Sequence, residues 1–146
     1  MERSRTEKIE LEHLAQLTKP CKVEILKGYV FRQSNPAIAG VEVIEGTLTN
    51  KTPLMNKDGK ELTRVKGIQM EQENVEKAEK GKKVAASMPN VIIGRQVNEG
   101  DTLYSYLTEQ EFLTYKKHKE HLSKEEKELL KEISEIMREK NPVWGV

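Results

Sequence analysis

The sequence predicts a mainly β fold, a small closed antiparallel barrel, with a helical extension behind it. Three observations point there. Between residues 21 and 107 apolar and polar residues alternate in short runs broken by turn-forming residues. After residue 107 the apolar spacing becomes helical, directly behind a capping sequence. Finally, six to eight short strands within residues 21–107 leave fewest exposed edges when the sheet closes on itself.

Taken in order, Ile9, Leu11, Leu14, Ala15 and Leu17 recur at near-helical spacing among charged residues, which predicts a helix over 3–17 ended by Thr18-Lys19-Pro20. A chain that opens in mid-helix is expected to be cut from a longer protein. Cys21, Val23 and Ile25 alternate with Lys22 and Glu24 and begin the strands. Further strands are expected at Tyr29–Arg32, Ala39–Ile44, Thr47–Thr49, Pro53–Met55, Leu62–Gln69, Lys83–Met88, Ile92–Gln96 and Thr102–Tyr106. Turns are expected at Glu45-Gly46, Asn56-Lys57-Asp58-Gly59, Lys80-Gly81, Pro89-Asn90 and Glu99-Gly100-Asp101. Val65 and Ile68 should point into the core, and Val75 and Ala78 should share one short turn. Thr108-Glu109-Gln110-Glu111 and Ser123-Lys124-Glu125-Glu126 are capping boxes, each opening a helix. On the second, Leu129, Leu130, Ile133, Ile136 and Met137 form one apolar stripe, and Asn141-Pro142 stops it before the tail ending in Trp144. The expected organisation is a helix end over 1–19, a barrel over 20–107 and a helical extension over 108–146.

Composition narrows the chemistry. The 25 Lys and Arg against 24 Asp and Glu leave a net charge of +1, so any nucleic-acid contact must come from a local patch. Neither zone departs from that balance, with 13 basic and 11 acidic residues over 21–107 and 8 and 9 over 108–146. The single cysteine, Cys21, excludes an internal disulfide and reads as a buried strand residue rather than a nucleophile. His13, His118 and His121 lie in charge-rich helical segments; His118 and His121 could share a metal, but solvated surface histidines account for them. No G-x-x-x-x-G-K-[ST] or G-x-G-x-x-G is present, and no carboxylate pair stands out. No apolar run approaches the roughly 20 residues that span a bilayer. These readings favour binding over catalysis, in the cytoplasm and as a monomer.

The order E-G-T-L, P-L, V-K-G-I-Q, N-V-E-K-A-E-K-G-K-K-V and E-G-D-T-L-Y resembles the second-domain barrel of translational GTPases of the elongation factor Tu type. G-Y-V-F-R-Q-S-N-P-A-I-A-G-V-E-V (Gly28–Val43), I-I-G-R-Q-V (Ile92–Val97) and N-P-V-W-G-V (Asn141–Val146) resemble, more narrowly, the final domain of the archaeal translation initiation factor 5B family, related to bacterial initiation factor 2. Asn50-Lys51 departs from the pattern, where many such barrels turn with a glycine.

That resemblance implies a terminal barrel that recognises the aminoacylated 3′ end of initiator methionyl-tRNA on the ribosome. It also implies C-terminal helices that dock initiation factor 1A, and GTP and Mg bound by a GTPase domain outside this chain. It places the methionyl and terminal-adenosine pocket on Val41, Gln69, Met70, Lys83, Val84 and Ala85. The basic pair that bacterial members carry falls on Gln69 and Met70, so phosphate contacts are expected from Arg32 and Arg95 at strand ends, where a guanidinium can meet a phosphate bidentately. Surface ion pairs remain the alternative for both arginines, and for Val41, Val84 and Ala85 plain core packing is the favoured reading. For factor 1A the expected residues are Phe112, Leu129, Leu130, Ile133, Ile136, Met137 and Trp144. The stripe could simply cap the barrel, or part of it could stay open as a groove. The favoured reading is a mixture in which one helix packs on the other and their outer face binds the factor. The alternative is a protein-docking module whose barrel is only a spacer.

Overall fold

The computed structural model describes residues 17–145. Apart from Leu17, the helix expected over 3–17 lies outside them.

Nine antiparallel strands curl into one sheet among the described residues: β1 (Cys21–Arg32), β2 (Ala37–Thr49), β3 (Pro53–Met55), β4 (Glu61–Arg64), β5 (Gly67–Met70), β6 (Glu73–Val75), β7 (Lys77–Glu79), β8 (Lys83–Met88) and β9 (Thr102–Ser105). The order is β4-β3-β9-β1-β2-β8-β5-β6, with β7 paired to the far end of β2. The ladder therefore begins at β4 and ends at β6, and the expected closed barrel is corrected to an open, strongly curled half-barrel. Val65 and Lys66, between β4 and β5, make single bonds to Thr52 O (2.8 Å) and Ser87 O (3.0 Å). The two ends of the sheet are thus linked by the chain itself, without a paired ladder between them.

Period-two burial makes the core. Along β1, Cys21, Val23 and Ile25 are buried and Lys22, Glu24 and Leu26 only partly so. Val41, Val43, Leu48, Leu54, Val65, Ile68, Val84, Ala86, Met88 and Leu103 meet them inside the curl. Cys21 is fully buried, and burial pushes its thiol up to about 12. As the sequence reading had it, the cysteine is structural.

Several strand expectations change. Tyr29–Arg32 joins Cys21–Ile25 as one strand, and Ala39–Ile44 joins Thr47–Thr49. Gly46 (φ +77°) therefore makes no reversal: it lies inside β2, where Pro20 O and Leu129 Cδ2 approach too closely for a side chain. Leu62–Gln69 splits at Val65-Lys66, and Val75 and Ala78 fall on two strands, not one turn. Ile92–Gln96 is no strand but a loop held by a bridge from Ile93 to Val97.

Both capping boxes form. Thr108 opens α1 (Glu109–Lys117) and Ser123 opens α2 (Lys124–Lys140), each with reciprocal bonds to the N3 glutamate. A single 3₁₀ turn, Lys119–His121, joins them. The helices build a second core of Met55, Leu107, Phe112, Tyr115, Leu129, Leu130, Ile133 and Trp144 against one end of the curl. Tyr115 Oη donates to Thr18 O (2.7 Å) and Thr18 N donates to Glu111 Oε2 (2.8 Å), tying α1 to the segment that enters β1. No described helix is long and apolar enough to cross a membrane.

Candidate functional site

The opposite end of the curl carries a cleft of about 660 Å³, and its construction begins in β1. Ile25 pairs with Val41 and Val30 with Ala39, so four residues of β1, Leu26 to Tyr29, stand opposite Gly40 alone. The surplus bulges outward. Gly28 (φ +82°) supplies the left-handed conformation the bulge requires. Two backbone bonds anchor its base, Gly100 N to Ile25 O (2.7 Å) and Ile25 N to Asp101 O (2.9 Å), and Gly28 N donates to Glu99 Oε1 (3.0 Å).

Gly40 is the counterpart of this bulge. A Cβ there would lie 2.9 Å from Tyr29 Cβ, so the glycine lets Tyr29 cross β2 at close range. Register then carries the surface sideways: Gly40 pairs with Ala85 of β8, and Ala85 with Gln69 of β5. Gly40 and Ala85 form a floor of small residues. Tyr29 and Phe31, 56% and 64% exposed, stand on one side, and Gln69 and Lys83 border the other. Two exposed rings beside an apolar floor are an unusual cost for a stable surface.

The rim is equally particular. Met70 pairs with Glu73, leaving Glu71 and Gln72 as a two-residue hairpin loop with φ of +54° and +69°. Two left-handed residues are what a type I′ turn demands, a conformation that side chains other than Gly, Asn and Asp adopt at some cost. Both residues line the cleft. With Lys27, Lys83 and Glu71, its titratable lining carries a small positive excess.

Of the residues expected in the pocket, Gln69, Lys83, Val84 and Ala85 line this cleft. Val41 does not: it is 1% exposed, inside the curl beside Ile25 and Val84. Met70 packs against the core, because alternation turns it away from the face that Gln69 presents. Arg32 and Arg95 are exposed and outside the lining. Arg32 Nε donates to Ser34 O (2.9 Å), and the Gln33–Ile93 bonds (2.8 and 3.0 Å) bring the loop containing Arg95 to the same edge. The sequence reading missed Tyr29, Phe31, Gly40, Glu71 and Gln72. Gly28-Tyr29-Val30-Phe31 held the signal, since period two places both rings on the face opposite Val30.

At the helical end the burial fits the alternative in which the stripe packs inward, and the open groove is corrected. Phe112, Leu129, Leu130, Ile133 and Trp144 are each at most 7% exposed, and Ile136 and Met137 are half-buried against them. The stripe is filled from within. Trp144 meets Phe112 with ring centroids 4.9 Å apart, and Arg138 Nε donates to Trp144 O (2.7 Å), folding the tail back over α1. Leu113 and Val143 are the large apolar side chains this end leaves exposed among the described residues. His118, Glu120 and His121 bring ligand-type atoms within 4.8 Å of one another on the 3₁₀ turn, with His121 Nε2 3.7 Å from Glu120. Both imidazoles already interact with neighbours, and we assign the cluster no function.

Comparison with known proteins agrees with this architecture. The family of elongation factor Tu domain 4 matches residues 19–104. A probable translation initiation factor IF-2 of Methanopyrus kandleri is 43% identical over 92% of this chain, and one of Staphylothermus marinus 42% identical over 96%. In both, the match spans 23% of the relative's length. The crystal structure of GDP-bound aIF5B from Aeropyrum pernix superposes with a TM-score of 0.87 at 38% identity, covering 98% of this chain and 24% of that one. This chain therefore spans about a quarter of the relatives it matches. It belongs to the elongation factor Tu domain 4 family, as a C-terminal domain of the archaeal IF-2/aIF5B kind.

Proposed function

We propose that the cleft between the β1 bulge and the β5–β6 hairpin receives the aminoacylated 3′ end of initiator methionyl-tRNA. The observation that carries this reading is the pair of exposed rings, Tyr29 and Phe31, beside the small-residue floor of Gly40 and Ala85. A single-stranded end presents bases that stack on aromatic side chains and an aminoacyl group that fits an apolar floor. Lys83 and Lys27 then meet the terminal phosphates, while Arg32 and Arg95 reach phosphates further along the strand. Val41 and Met70 support the floor from within.

In this reading residues 20–107 hold the RNA end, and residues 108–146 hold a protein partner, initiation factor 1A. The factor 1A face is the outer surface that includes Leu113 and Val143, since the stripe itself is occupied. GTP and Mg belong to a part of the full-length factor outside this chain, which itself performs no chemistry. In the cytoplasm the assembled factor promotes joining of the ribosomal subunits, with this domain acting as a monomer.

Fluorescence titration with aminoacylated and deacylated initiator tRNA tests the cleft. Aminoacylated tRNA should bind more tightly, and Phe31→Ala should weaken it about 5- to 150-fold, the equivalent of one lost base–ring stack. Equal affinity for the two forms, or an unaffected Phe31→Ala, would remove the cleft from tRNA-end recognition. Factor 1A binding unchanged by Leu113→Ala together with Val143→Ala would place its docking face elsewhere.

A further inference from the structure

The far end of β2 carries a second polar surface, unrelated to the aromatic cleft. Two shallow depressions of about 310 and 360 Å³ adjoin there and share Thr49 and Lys51. Lys19, Lys51 and Arg64 line the first, with no carboxylate among its lining residues. Lys77 lines the second together with Glu76. In a chain of 25 cations and 24 anions, four cations against Glu76 in the lining and Glu79 beside Lys77 is a local excess that the overall balance hides.

Few of these cations are neutralised by a carboxylate. Among the described residues Lys19, Lys51 and Arg64 make no salt bridge, and Lys77 makes only a loose, exposed one to Glu79 at 3.8 Å. The turn that presents Lys51 is nonetheless firmly held. Thr49 N donates to Thr52 Oγ1 (2.9 Å), Asn50 N donates to Glu76 O (3.0 Å), and Arg64 Nη1 reaches Lys51 O (3.4 Å).

We propose that this furrow binds the phosphodiester backbone of an RNA helix, at a site separate from the aromatic cleft. Cations mostly free of carboxylate partners, grouped around a fixed turn, suit an array of phosphates, and the lining of the furrow offers no stacking ring or base-reading pocket. The cleft lies along the Ile38–Gly40 part of β2 and the furrow at its other end, Thr49, and their linings share no residue. The inference is independent of what the cleft receives.

A short blunt-ended RNA hairpin, which offers no single-stranded 3′ end, separates the two surfaces. Its binding to this chain, followed by fluorescence anisotropy, should weaken about 40- to 150-fold between about 50 and 200 mM salt if three or four phosphates are neutralised. Lys51→Glu with Arg64→Glu should cut that dependence to about 12-fold or less, while Phe31→Ala leaves it unchanged. The milder Lys51→Gln with Arg64→Gln pair, with an unchanged melting curve, guards against misfolding and should reduce the dependence in the same direction. No hairpin binding at 50 mM salt, or a salt dependence indifferent to both pairs, would overturn the proposal. So would preferential binding of an oligoglutamate over the hairpin, which would mark the furrow as a site for an acidic protein.

Discussion

Ile133→Ala discriminates between a packed helical end and an open groove. Ile133 is fully buried, on the face of α2 that meets Leu107, Phe112 and Trp144. Truncation removes three carbon atoms from a site where the rings on one side and the sheet on the other restrict collapse. Both the lost transfer free energy and the residual cavity then count, and the destabilisation should be about 3–4 kcal/mol. For a chain of this size that corresponds to a fall in Tm of about 10–15 °C. Urea denaturation followed by circular dichroism would show the same loss as a midpoint lower by about 1.5–2 M. Leu113→Ala, on an exposed position of α1, is the control and should stay within about 0.5 kcal/mol. An Ile133→Ala loss no larger than the control's would mean the stripe faces solvent, and the packed arrangement would be wrong.

Gly46→Ala should be among the most damaging single-methyl changes, about 3 kcal/mol or more by thermal melting, because it combines a left-handed φ with a clash against backbone at Pro20. Glu111 should show in the acid limb of stability. Burial would raise its carboxyl, but bonds from the Thr18 and Thr108 backbone N–H groups outweigh that and hold it below the ordinary value. Its stabilisation is therefore present above about pH 4.5 and lost as pH falls through the lowered value. Glu111→Gln should flatten that limb and cost about 1 kcal/mol at neutral pH. The Cys21 thiol, raised from its ordinary 9.0 to about 12, should stay silent to a disulfide reagent at pH 8 until the chain unfolds. Because its folded value is raised, its contribution to stability is intact below about pH 9 and disappears as pH climbs toward 12. Labelling of the native protein at pH 8 within the mixing time would contradict that burial.

The sequence made the helical end legible almost residue by residue, because capping boxes and a 3.6-residue stripe are local signals. Strand identity was nearly as clear where alternation was regular, as in Cys21–Ile25 and Lys83–Met88. What sequence could not supply was register. The β1 bulge exists because four residues face one glycine across a strand pair, and neither strand reveals that alone. The β5–β6 hairpin was hidden for a different reason: its type I′ loop is Glu71-Gln72, without the Asn or Gly that usually announces one. Gly46 misled in the opposite direction. Glu45-Gly46 read as a turn signal, while the glycine's actual task is to let Pro20 and Leu129 pass close to an unbroken strand. Four of the six residues taken from the family resemblance border the cleft, and Val41 and Met70 fall behind it through simple alternation along their strands.

The most direct test of the cleft is a map of backbone amide shifts as a short methionylated CCA fragment is added to the chain. Proposed recognition of the tRNA end predicts changes concentrated in Leu26–Phe31, Ile38–Gly40, Gln69–Gln72 and Lys83–Ala85, and much weaker ones with the fragment lacking methionine. Shifts confined to the helices or to the Lys51–Arg64 furrow, or equal maps for the two fragments, would contradict it.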